Sequence, residues 1–122
     1  MSAWLAIGAL NGLIAVAAGA YGHHALAASE PYFRDSFAIG VDYQMWHALA
    51  LLAVAWLADR RPGRLAVAIA GWLFTLGIVL FSGSLYHLGL TQTTLIGGAA
   101  PVGGMLLIAG WAALVGVALD RR

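Results

Sequence analysis

Residues 37–57, FAIGVDYQMWHALALLAVAWL, decide how this chain is read. The run is long enough to cross the roughly 30 Å hydrocarbon core of a bilayer as a helix, yet it carries Asp42, Gln44 and His47. A charged side chain at that depth costs on the order of 2.5–3.5 kcal/mol on insertion scales, and polar groups there are either partnered or functional. The stretch therefore predicts a membrane helix whose polar residues each need a partner or a task.

The rest of the chain shares this character. Of its 122 residues, 62% are hydrophobic and 9% charged, more apolar surface than one small water-soluble domain can hide. Ala3 to Gly22 makes a first span of adequate length. With no basic segment before it and three further spans behind it, it reads as a retained helix rather than a signal peptide. Gly8, Gly12, Ala15, Gly19 and Gly22 recur every three or four residues within it and so share one helical stripe. Small residues on one stripe let helix backbones approach closely in lipid.

Polar residues dominate 23–36, where Ser29-Glu30-Pro31 predicts a helix start ahead of Phe37, with Ser as cap and Pro tolerated in the first turn. The segment Asp59-Arg60-Arg61-Pro62-Gly63-Arg64 ends that helix near Ala58. A third span follows over 65–87. For the glycine-rich segment 97–104 the sequence predicts either a helix start at Pro101 or a locally loosened backbone. The expected fold is all-α: one domain over residues 1–122, a polytopic four-transmembrane-helix bundle with spans near 3–22, 37–58, 65–87 and 101–119.

Arg60, Arg61, Arg64, Arg121 and Arg122 fall on one side of this arrangement and Arg34 alone on the other, so the positive-inside rule predicts both termini in the cytoplasm. Trp4 and Trp56 are then expected at the cytoplasmic interface, and Tyr21 and Tyr86 at the outer one. A net charge of +1 provides no electrostatic footprint for nucleic acid. The absence of cysteine excludes disulfides, thiolate catalysis and Cys-based metal sites.

Three segments, His47-Ala48-Leu49-Ala50-Leu51-Leu52, Phe81-Ser82-Gly83-Ser84-Leu85-Tyr86, and Pro101-Val102-Gly103-Gly104 through Gly110-Trp111, resemble in that order the signature segments of the YgdD/YwdK family of small bacterial membrane proteins. Eukaryotic relatives of that family occur among the TMEM proteins. The resemblance spans nearly the whole chain, with Phe81 to Tyr86 its most specific part. It departs at Gly22-His23-His24-Ala25, where the family favours a single histidine after Gly-Ala. It implies a multi-pass protein of the bacterial inner membrane with no established activity.

Depth and face decide which polar residues can meet. Gln44 and His47 share a stripe with Gly40, Leu51 and Val54, and Asn11 lies near mid-span in the preceding helix, its expected neighbour. A hydrogen bond from Asn11 to Gln44 or His47 is expected, and Ser84 joins these three as a candidate for the polar core or a ligand pocket. Asp42 is five residues from His47, about 140° around a helix, so the two cannot pair. It is expected at the outer face with His23 and His87, reaching water or pairing with a histidine. His23 and His24 project about 100° apart, unlike helical metal ligands spaced by three or four residues, and no metal site is predicted. A haem shared by His47 and His87 is disfavoured because they differ by roughly 15 Å in depth, and no cofactor is expected. No nucleophile elbow, phosphate loop, paired-carboxylate site or zinc-protease motif is present, so no catalytic residue is assigned and an enzyme is not expected.

Three functional classes follow. The favoured one is association, as a homo-oligomer or as an accessory subunit of a larger membrane complex in contact with lipid, motivated by 16 glycines beyond the apparent need of one bundle. The alternative is a binder or carrier of a lipid, quinone or other small amphiphile, with a pocket lined by Gln44, His47 and Ser84. A small oligomeric channel or transporter, with a broken helix around 97–104 and His47 on its path, is the third.

Overall fold

The computed structural model describes residues 2–120, and Arg121 and Arg122 of the charge asymmetry lie outside the described residues. Among the described residues the chain forms four α-helices and no strand: α1 (Ser2–Ala25), α2 (Pro31–Arg60), α3 (Leu65–Thr91) and α4 (Ala99–Leu119). Each is long and apolar enough to cross a membrane. Both described chain ends and the 61–64 turn share one end of the bundle, called here the terminal end. The 26–30 and 92–98 connections mark the distal end.

Local chemistry makes the helices overrun the apolar spans. His23 and His24, beyond the expected span 3–22, form the last turn of α1, where basic side chains meet the negative end of the helix dipole. Pro31 is the first residue of α2, and the cap is Glu30, without a side-chain bond, rather than Ser29. α3 continues past His87 to Gln92, which caps it in the left-handed region at φ 57° and whose Nε2 donates to the Gly89 carbonyl. α4 begins at Ala99, two residues before Pro101, and runs unbroken through Gly103 and Gly104. Proline is harmless there because first-turn N–H groups have no intrahelical partner, and Gly98 takes the left-handed turn ahead of the helix at φ 85°. The loosened backbone expected within 97–104 is thus confined to the loop, which removes the broken helix from the channel reading.

α1 packs on α2, α2 on α3 and α3 on α4, whereas α1 and α4 share no substantial packing. In their most apolar stretches 44% of α2 and 39% of α3 is buried, against 11% of α1 and 22% of α4. The α2–α3 hairpin is therefore the centre, with α1 and α4 as flanks. Leu51, Val54, Val67, Phe74, Ile78 and Leu107 form its apolar core.

The glycines make these approaches possible. A Cβ on Gly8 would lie 3.1 Å from the Ala48 carbonyl oxygen, and one on Gly22 would lie 2.5 Å from the Phe37 ring. Gly103 lies directly on the Phe81 backbone of α3, and a Cβ on Gly110 would lie 2.6 Å from the Phe74 ring. The stripes of α1 and α4 are spent on contacts inside the chain. Much of the glycine excess that motivated an association between chains thus serves the bundle itself, whereas Gly83 on α3 and Gly116 on α4 meet nothing.

At the terminal end Arg61 donates to the Val117 and Asp120 carbonyls at 2.9 and 3.0 Å, and Arg64 pairs with the Asp120 carboxylate. These cations satisfy the last carbonyls of α4 and latch it to the α2–α3 turn. Trp4 stacks edge-on with Trp72 at 5.4 Å, and Arg60 lies 5.0 Å from the Trp56 ring centre.

Gly103→Ala forces a methyl group into the Phe81 backbone and is expected to cost about 1–3 kcal/mol, the usual range for overpacking. Gly116→Ala, which faces open space, should change stability by no more than about 0.5 kcal/mol. Equal midpoints for the two variants in detergent-driven unfolding would refute the close α3–α4 approach.

Candidate functional site

A directed chain of hydrogen bonds crosses three helices. The Tyr86 hydroxyl of α3 donates to Gln44 Oε1 at 2.5 Å, Gln44 Nε2 of α2 donates to Asn11 Oδ1 at 3.0 Å, and Asn11 Nδ2 of α1 donates to the Ile7 carbonyl at 2.9 Å. The Ile7 carbonyl can only accept, so Asn11 must point its NH2 there and offer its oxygen to Gln44. That choice fixes the Gln44 amide and makes the Tyr86 hydroxyl a donor. Gln44 is buried and takes up both polar ends of its amide. Aligned donors of this kind polarise one another.

Tyr86 makes a contact inside the bundle that the sequence reading did not anticipate. Expected in the outer aromatic belt, it is half-buried, with its ring 4.8 Å from Phe37 and its hydroxyl on Gln44. Its donor finds a partner inside the bundle, which a belt position would have found in water.

His47 stands one turn further along α2, and its partners define its tautomer. Nδ1 is 2.6 Å from the Tyr43 carbonyl, an acceptor only, and Nε2 is 3.0 Å from the Trp111 indole N–H, a donor only. Nδ1 therefore carries the proton and Nε2 is bare. The ring of Phe74, 5.6 Å from the imidazole, and that of Trp111 close the surroundings. His47 is thus hydrogen-bonded between α2 and α4, and Asn11 bonds to Gln44 rather than to it.

The serines divide. Ser82 Oγ donates 2.7 Å to the Gly40 carbonyl across the α2–α3 contact and is buried. Ser84, the one named as a core candidate, bonds back to the Leu80 carbonyl of its own helix, so it does not join Asn11, Gln44 and His47. A hydroxyl at this depth without an interhelical acceptor turns to the carbonyl four residues earlier. Tyr86, Ser82 and Trp111 are the members of this core that sequence reading missed. The four-residue turn before Leu65 carried a signal for the first two, since it fixes which residues of α2 and α3 are level.

The remaining candidates lie at the distal end. His23 and Asp42 are exposed and line one cleft, with Arg34 and Asp35. His87 lies elsewhere, its Nδ1 3.0 Å from the Thr93 carbonyl in the α3–α4 connection. Among the described residues no three His, Asp or Glu side chains come together as a metal site would require. The α1–α2 cleft has a volume of about 520 Å³, and a smaller one of about 270 Å³ opens at the terminal end beside Trp4 and Arg61. Neither is lined by Asn11, Gln44, His47 or Ser84.

Four membrane-length helices joined by buried, mutually satisfied polar side chains define a multi-pass helical membrane protein. The profile of the family described as Protein of unknown function (DUF423) matches residues 18–104, and the chain belongs to that family. It is 45% identical over 116 residues to the UPF0382 membrane protein YwdK of Bacillus subtilis, covering 94% of each chain. A UPF0382 membrane protein of Staphylococcus epidermidis is 42% identical over 116 residues, covering 94% of this chain and 93% of its own. That of Staphylococcus saprophyticus is 41% identical, covering 94% and 95%. No solved structure is significantly similar.

Tyr86→Phe is expected to destabilise the bundle by about 0.6–1.7 kcal/mol, the range of membrane interhelical hydrogen bonds. In a Gln44→Leu background the same substitution should cost little, because its acceptor is gone. Unfolding free energies that fall equally in both backgrounds would show that the two side chains are not coupled.

Proposed function

We propose that this is a non-enzymatic membrane protein that acts by lateral association, as a homo-oligomer or as an accessory subunit of a larger membrane complex in contact with lipid. One observation carries the reading. Among the described residues no buried side-chain nitrogen or oxygen lacks a partner, so the polar chemistry of the interior is consumed within the chain. Gln44 has both amide ends engaged, His47 both ring nitrogens, and Ser84 its hydroxyl. What remains open to the surroundings is the outer surface, above all the flanking helices α1 and α4, each packed chiefly along one neighbour.

Apolar exposure alone does not drive association in lipid, so specificity has to come from shape and from partly exposed aromatic residues such as Trp111 on α4. The arginines Arg60, Arg61 and Arg64 cluster at the terminal end. Under the positive-inside rule this supports both termini in the cytoplasm, in a bacterial inner membrane.

The absence of native cysteine permits a clean test. Leu13 on α1 and Ile108 on α4 are 67% and 64% exposed, and Val79 on α3, at 63%, serves as control. Oxidative cross-linking in native membranes is expected to give a discrete adduct from Leu13→Cys or Ile108→Cys and none from Val79→Cys. Uncross-linked chain at all three positions, with native mass spectrometry detecting only monomer, would overturn the reading.

A further inference from the structure

The distal cleft is independent of the polar core and of lateral association. It lies between the ends of α1 and α2, and Asp42 lines it seven residues beyond Asp35. At 1.5 Å per residue the carboxylate sits roughly 10 Å further along the helix than the charged pair at the mouth. The contact of Gly19 with Val41 makes Asp42 level with the body of α1 rather than with its end. Asp42 has no hydrogen-bond or ion-pair partner among the described residues.

Charge in the cleft is unevenly balanced. Arg34 and Asp35 face each other at 3.7 Å and offset one another at the mouth. His23, at the end of α1, contributes an imidazole, and the walls beside Asp42 are Ala38, Val41 and Gly19. The uncompensated charge is a single exposed carboxylate beside apolar walls, within a helix long and apolar enough to cross a membrane. Such a group marks a ligand or ion path by default.

We propose that this cleft binds a monovalent organic cation with an apolar body, an ammonium or phosphonium whose substituents lie along Ala38 and Val41 while its charge meets Asp42. The volume of about 520 Å³ is that of a small-molecule site. A hard divalent cation is a poor fit, since it takes six or more oxygen ligands and the second carboxylate, Asp35, is turned to Arg34. An anionic headgroup is a poor fit because Asp42 repels it and the cleft's arginine, Arg34, lies at the mouth beside Asp35.

The test uses the full chain in nanodiscs of zwitterionic phosphatidylcholine, with tetraphenylphosphonium as probe and equilibrium dialysis as readout against protein-free discs. Wild type should take up the probe saturably. Asp42→Asn, isosteric and on an exposed face, should weaken binding by at least about tenfold, as truncating one partner of a charge pair that the bound ligand closes off from water does, while Asp35→Asn leaves it within about threefold. Ala38→Trp, which fills the cleft without altering charge, should abolish saturable uptake and provides the second arm should the asparagine variant fold poorly. Uptake no greater than in empty discs, an Asp42→Asn variant that binds like wild type, or equal losses at Asp35 and Asp42 would each overturn the assignment.

Discussion

An amide in hydrocarbon finds no partner outside the protein, and Gln44 is the amide on which this bundle depends. Its oxygen takes the Tyr86 proton and its NH2 reaches Asn11, so one side chain joins α3, α2 and α1. Each bond is worth only about 0.6–2 kcal/mol. Their importance is geometric: sliding α2 by one turn against either neighbour would leave a buried amide half unpaired, a loss that apolar packing does not impose. Register is set by polar groups, whereas adhesion comes from close contact. The glycines serve that contact, since Gly8 and Gly22 let α1 approach closely enough for Asn11 to reach its partner.

α4 is held by a different combination. Gly103 and Gly110, two turns apart, rest against Phe81 and Phe74, so its apolar fit to α3 is a backbone approach rather than interdigitation of large side chains. Trp111 then spans to His47 on α2, and Arg61 and Arg64 close the terminal end on the last carbonyls and on Asp120. The indole serves twice. Its N–H fixes the imidazole tautomer, and its ring packs 5.2 Å from Phe74.

The number of helices, their order and the meeting of Asn11 with Gln44 were legible because apolar length and helical periodicity are local properties of the chain. Partner choice was less so. Asn11 offered Gln44 and His47 as equals, and only the side-chain reach across α1 and α2 separates them. The serines show why depth alone is insufficient: Ser82 and Ser84 lie within a turn of each other, yet one faces Gly40 and the other its own helix. A stricter use of the hairpin would have helped. Phe37 meets Gly89 and Gly40 meets Tyr86, pairs equidistant in sequence from Gly63, so the turn fixes the register of everything beyond it. Trp111 was beyond such reasoning, because α4 lies outside the hairpin and an amphipathic aromatic suits a membrane interface and an interhelical contact equally well.

Two positions in α2 show how the helix sorts its polar residues. Asp42 and Gln44 are two residues apart, hence about 200° around the axis, and nearly the same depth in the membrane. Gln44 faces both neighbours and is closed by them, whereas Asp42 faces the cleft beside Gly19 and Ala38 on the α1 side. The closure of one side and the openness of the other have a common origin in the α1–α2 contact, which is tightest where Gly8 and Gly22 meet α2 and leaves room beside Gly19 and Ala38. A neutral amide can be satisfied by neutral partners within a bundle. A carboxylate cannot be satisfied by apolar walls, so the same helix that seals its amide must leave its acid an exit to water or to a cation.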